Sequence, residues 1–133
     1  MKTTLILLTS FFTIIALGQN ESGKFMLITS GQLSKYETVK INDINFDLVQ
    51  NNNHDTIYLQ TMESKFVTKE GIRVGTKVSE LPISIQQNLI KEIGWGYYYK
   101  LASGWSIGFC EGSTCTNSYP TADSKIRWIF RRR

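Results

Sequence analysis

The run from Gly94 to Cys110, GWGYYYKLASGWSIGFC, constrains the fold more than any other stretch of the chain. It holds two apolar arms around Ala102-Ser103-Gly104. Side chains on a strand alternate between faces, so residues two apart share one. Trp95, Tyr97, Tyr99 and Leu101 then share a face of the first arm, and Trp105, Ile107 and Phe109 share a face of the second. Residues directly opposite in an antiparallel pair point the same way. A two-residue turn at Ser103-Gly104 would oppose Tyr98 to Phe109 and split the apolar set. A three-residue loop instead opposes Leu101 to Trp105, Tyr99 to Ile107 and Tyr97 to Phe109. Such loops close on a residue at positive φ, where glycine costs least, and Gly104 stands there. The sequence predicts this β-hairpin with one apolar face, and the final strand is expected to add Trp128 to the same core.

The chain opens with Met1-Lys2, an apolar run through Leu5–Leu8 and Phe11–Ile15, and Ala16-Leu17-Gly18 before Gln19. Basic start, short apolar stretch and small-x-small site together predict a signal peptide over residues 1–18, cleaved after Gly18. The run is short for a membrane span and no second one follows, so no transmembrane segment is expected in the mature chain. No cysteine stands at the cleavage site to take a lipid anchor. Residues 19–133 make one secreted or periplasmic domain, long enough for a real core.

Without Lys2, fourteen Lys and Arg stand against eleven Asp and Glu, and three of the fourteen are Arg131, Arg132 and Arg133. The basic balance is thus a property of the C-terminal end, not of a face suited to nucleic acid. Cys110 and Cys115 lie close together, and in an oxidising compartment they are expected to bond. So small a ring stabilises by about 2 kcal/mol in the loop-entropy description. C-x-x-C redox spacing and a zinc ligand set are both missing from the sequence.

Further strands are expected at 25–28, 36–40, 44–49, 56–62 and 125–131. In the fourth of these, Ile57, Leu59 and Thr61 share one face and Tyr58, Gln60 and Met62 the other. In the last, Ile126, Trp128 and Phe130 share a face. Ser84 with Gln87 forms a capping signature, Ile85, Leu89 and Ile93 recur every fourth residue, and Gly94 follows as a stop. That pattern predicts one principal helix over 85–93, its stripe packed on the hairpin face. The expected fold is α+β: a mainly antiparallel sheet of about five or six strands with one principal helix packed on one face.

The segment Gly71-Ile72-x-Val74-Gly75-Thr76-x-x-x-Glu80-Leu81 resembles the entry into the helix of small bacterial envelope domains. The SmpA/OmlA (BamE-like) outer-membrane assembly proteins and the β-lactamase-inhibitor-protein-like domains share that layout, and the chain also resembles secreted proteins of the Bacteroidetes type. The resemblance implies a helix followed by an antiparallel sheet, and either envelope association or inhibition of a secreted enzyme.

Chemistry-bearing patterns are sparse. His54 is the sole histidine, beside Asp55 in the polar turn Asn51–Asp55. Asp43 and Asp47 could pair as carboxylates on one strand face, although solvation is the simpler account. The sequence holds no G-x-S-x-G elbow and no phosphate loop. No catalytic residue, metal ligand or cofactor is therefore expected, and a small hydrolase is disfavoured. The candidate binding surface is Tyr98 and Lys100, on the hairpin face opposite Tyr97 and Tyr99, with Arg131, Arg132 and Arg133 as a basic end that could dock on an anionic surface. The expected function is a non-enzymatic interaction or envelope-associated module with an unidentified protein partner or envelope surface. The alternative is a proteinaceous inhibitor of a secreted enzyme.

Overall fold

The computed structural model describes residues 23–133. The predicted signal peptide and its cleavage site lie outside the described residues. Eight antiparallel strands form one sheet in the order β1-β2-β3-β4-β8-β7-β6-β5. They are β1 Lys24–Thr29, β2 Gln32–Ile41, β3 Ile44–Gln50, β4 Thr56–Thr61, β5 Ile90–Glu92, β6 Gly96–Lys100, β7 Ser106–Phe109 and β8 Trp128–Arg132. The sheet curls into a half-barrel. Register shifts between Leu27 and Thr29 and between Val49 and Gln50 add to that curl, because a bulge bends and twists its strand. Asn42 and Asp43 both take positive φ, the geometry of a two-residue hairpin turn between β2 and β3.

The hairpin is paired as its parity requires. Tyr97 faces Phe109, Tyr99 faces Ile107, and Leu101 N donates to Trp105 O at 2.8 Å around Gly104 at φ 91°. Both faces of the β6–β7–β8 part of the sheet are buried, by different means. On the convex side Tyr97, Leu101, Ile107, Phe109, Ile126 and Ile129 pack against Ile72, Val78, Leu81, Ile85 and Leu89 of the 62–90 segment. On the concave side Val49, Tyr58, Trp95, Trp128 and Phe130 gather under Ile28 of β1.

The expected α+β fold with a principal helix is overturned. Among the described residues helix is confined to a 3-10 turn at Val78–Glu80 and one α turn at Ile83–Gln86. Asn88 then closes on Ser84 O, and Ile90–Glu92 pairs with β6 as an edge strand. A nine-residue helix is marginal on its own, whereas β6 without β5 would leave a row of backbone groups unpaired. Ile85 and Leu89 do cover the hairpin face, but Ile93 is 76% exposed.

Two parities also break at turns. Trp95 precedes β6, next to Gly94 at φ 73°, and joins the concave cluster rather than the Tyr97 face. Arg127 N donates to Gly108 O ahead of β8, so Ile126 lies on the convex side while Trp128 and Phe130 lie on the concave one. Trp128 is therefore not part of the hairpin-face core that its spacing suggested.

The concave cluster depends on two missing side chains. A Cβ on Gly108 would collide with Trp128 Cε2, and one on Gly96 would stand 2.8 Å from Trp128 Cη2 and from Phe109 O. The indole lies flat where the β6–β7 ladder offers bare backbone. Gly108→Ala is expected to cost about 1–3 kcal/mol, the range for overfilling a packed interior. Urea denaturation of the variant checks this, and an unchanged midpoint would show that the indole can shift freely.

Candidate functional site

The two edges of the sheet meet across the concave side through side chains instead of backbone. Trp95 Nε1 donates to Leu27 O at 2.8 Å. Arg132 Nη1 donates to Ile28 O at 3.0 Å, and Ser30 N donates to Glu92 Oε1 at 3.0 Å. Arg132 Nη2 pairs with Glu92 Oε2 at 3.0 Å, with the two side chains only 22% and 18% exposed. The guanidinium also lies over Trp95 at 5.1 Å, Tyr98 at 5.4 Å and Phe130 at 5.7 Å from the ring centroids. Arginine suits such a place because its planar fork can pair and stack at once.

Beside this clasp a cavity of about 260 Å³ opens at one end of the curl. Met26, Met62, Trp95 and Trp128 form its apolar walls, and Tyr58 and Gln60 supply polar atoms. A hydrogen-bonded chain runs along the concave surface. Tyr58 OH donates to Gln60 Oε1 at 2.8 Å, Gln60 Nε2 to Asp47 Oδ2 at 3.3 Å, and Thr38 Oγ1 to Asp47 Oδ1 at 2.8 Å. The buried Trp128 Nε1 faces the Tyr58 hydroxyl, short of full hydrogen-bonding geometry. Burial pushes the Tyr58 phenol above its ordinary value, against the pull of the Arg132 charge.

The disulfide Cys110–Cys115 is formed. Its loop steadies the cavity rim, where Gly94 N donates to Thr116 Oγ1 at 3.1 Å and Cys115 stands in the wall. At the hairpin tip Glu70 accepts from Ser103 N at 2.8 Å and Ser103 Oγ at 2.9 Å. Partial desolvation works to raise the Glu70 carboxyl, and the Ser103 hydrogen bonds outweigh it, so the group is held below the usual range.

The residues predicted as a binding surface are dispersed. Tyr98 is half-buried, edge-on to Trp95 and Phe130, and meets Arg132 in the clasp. Lys100 is exposed and paired in register with Ser106. Arg131 lies on the other face, 4.5 Å over Trp105, and donates to Ser103 O at 3.0 Å. Arg133 N donates to Ile57 O. The basic end is thus largely woven into β8 and its neighbours. His54 sits at a hairpin tip with φ 62°. Asp43 occupies a turn and Asp47 the concave chain, so no carboxylate pair forms. Among the described residues no His, Cys, Asp or Glu cluster could hold a metal ion, and no helix is long and apolar enough to cross a membrane.

Sequence reasoning missed the site formed by Tyr58, Gln60, Met62 and Glu92. Its one legible signal was the shared parity of Tyr58, Gln60 and Met62. Nothing in the sequence marks Glu92 as the partner of a residue forty positions away.

No protein-family model matches the chain, and no curated protein matches it. Among solved structures the chain is similar to the uncharacterized protein yfeY from Escherichia coli. The two share 17% identity over 74% of this chain and 80% of that one, with a TM-score of 0.46.

Arg132→Ala removes the ion pair, the bond to Ile28 O and the stacking together. It is expected to cost about 2–3 kcal/mol in urea denaturation, below the range for a fully buried pair because water still reaches this one. Arg132→Lys should recover only part of that. The second expectation concerns pH. An unfolded tyrosine releases its proton near pH 10, and Tyr58 holds its proton beyond that point. The stability tied to this group is complete below about pH 10 and is lost as pH climbs toward the folded value. In an alkaline absorbance titration the Tyr58 phenol should stay protonated until the protein unfolds, so Tyr58→Phe should remove signal only from the unfolding step. Loss of signal from the titration of the folded protein in that variant would show that Tyr58 is not sealed.

Proposed function

We propose that this chain is a secreted or periplasmic, non-enzymatic interaction module that engages a protein partner through the outer face of its β1–β2 hairpin. The observation that carries this reading is an uncovered apolar group on that face. Leu27 and Leu33 stand directly opposite one another, 45% and 65% exposed, and Phe25 beside them is 57% exposed. Elsewhere on the convex side the 62–90 segment covers the sheet, but it does not cover these three. Contiguous exposed apolar side chains on an edge hairpin mark interaction surfaces. The disulfide suits an oxidising compartment. The sole histidine stands at a hairpin tip, away from any serine–base arrangement of the kind acyl transfer requires.

A photo-crosslinking residue placed at position 33 is expected to give a discrete protein adduct in the native envelope. The same residue at Lys125, on another part of the surface, should give none. Phe25→Glu in the position-33 protein should abolish the adduct while leaving the urea midpoint unchanged. Equal labelling from position 125, or no adduct from position 33, would overturn the proposal.

A further inference from the structure

We propose that the Cys110–Cys115 bond is a thiol–disulfide exchange site, opened at Cys115 by a protein dithiol of the C-x-x-C class. The site is separate from the outer hairpin face and does not depend on the partner proposed for that face.

Four observations converge here. First, Cys115 takes φ 63°, in the left-handed region where a residue with a side chain is strained. Disulfides that are strained or reachable are the labile ones, whereas relaxed and sealed ones resist reduction. Second, the two cysteines are placed unequally. Cys110 packs against the concave aromatic cluster, while Cys115 stands in the wall of the cavity beside Gly94. An incoming thiolate therefore meets Cys115 first, and Cys110 becomes the leaving group. Third, the leaving group is provided for. Cys110 also borders a second depression, lined by Lys125, Arg127, Glu111 and Asp123. Asp123 pairs with Lys77 at 3.8 Å, which leaves two cations against the Glu111 carboxylate. That balance favours a departing thiolate. Gly112 O lies 3.7 Å from Cys110 Sγ, placed to accept from the thiol once it is protonated. Fourth, the loop holds its shape by other bonds. Glu111 N donates to Cys115 O at 3.1 Å, Asn117 N to Glu111 O at 3.0 Å, and Gly94 N to Thr116 Oγ1 at 3.1 Å. Reduction thus leaves the loop in place and the two thiols near enough to close again.

In the first step the reductant's thiolate bonds to Cys115 Sγ as the bond to Cys110 breaks. The electron pair leaves on Cys110 Sγ, which takes a proton. The reductant's second thiolate then displaces Cys115 from the mixed disulfide, and Cys115 takes a proton in turn. The chain gains two thiols, and the dithiol becomes a disulfide.

Dithiothreitol should reduce the folded mature chain within about tenfold of its rate in urea, whereas a bond opened only by global unfolding would lag by about 10³-fold or more. A thioredoxin whose second cysteine is replaced by serine cannot complete the exchange, so it should stay bonded to the chain. After alkylation of the freed thiol, the linked peptide should carry Cys115, and Cys110 should carry the alkyl group. The fully reduced protein should keep its three dispersed indole N–H resonances and should re-form the bond with oxidised glutathione. A lag of the size set by unfolding, an adduct at Cys110, no adduct at all, or collapse of the indole spectrum on reduction would each overturn the proposal.

Discussion

The indole of Trp128 lies on Gly108 and Gly96, and the concave half of the molecule depends on that seat. The two glycines remove side chains from one face of the β6–β7 ladder, and the largest side chain available fills the space. The arrangement fixes which way β8 faces. With Trp128 down on the glycines, Phe130 and Arg132 follow on the same side by alternation, and Ile129 faces the opposite core. Trp95 then meets Trp128 edge-on at 5.3 Å and Phe130 at 5.0 Å. Its own N–H is left to reach across to β1. Edge-to-face contacts of this kind add to the burial they accompany.

An open eight-stranded sheet has two edges, and each is a liability. Here the edges are brought together without forming a ladder. Trp95, Arg132 and Glu92 take the backbone groups of Leu27, Ile28 and Ser30 that a further strand would have used. Side chains can do this at an angle that a ladder could not accommodate, which lets the sheet stop at a half-barrel and leave a cavity at its end. The ion pair contributes less through its charge than through geometry. A half-buried pair nearly offsets its own desolvation, but it holds the guanidinium where it can stack and donate at once.

How much of this was legible in the sequence depends on the distance over which each rule acts. Alternation held wherever a strand ran unbroken, so the register around Gly104 and the opposition of Tyr97 to Phe109 could be derived. It failed at Trp95 and Ile126, where a turn inserts a residue and reverses the faces. The four-residue spacing of Ile85 and Leu89 was real and reports their burial. It did not report a helix, because a single turn followed by an extended segment can also bring both inward. The choice between helix and strand at Ile90–Glu92 was made by the open edge of β6, which local periodicity does not contain. The role of Arg132 was hidden for the same reason: a C-terminal run of arginines looks like a solvated end until the partners at Glu92 and Ile28 are in place.

One strand joins the exposed apolar group to the concave core. Along β1, Phe25 and Leu27 point outward, while Met26 and Ile28 point into the curl. The outer apolar group and the cavity wall are thus the two faces of a single six-residue edge strand. That strand is held by β2 on one side, and on the other by Trp95 and Arg132 through the Leu27 and Ile28 carbonyls. A partner seated on the outer face must accept the position of β1 that these contacts set. Arg132 and Glu92 hold Ile28 and Ser30 at the end of that strand, so the ion pair that closes the fold also fixes the frame in which the outer apolar group is presented.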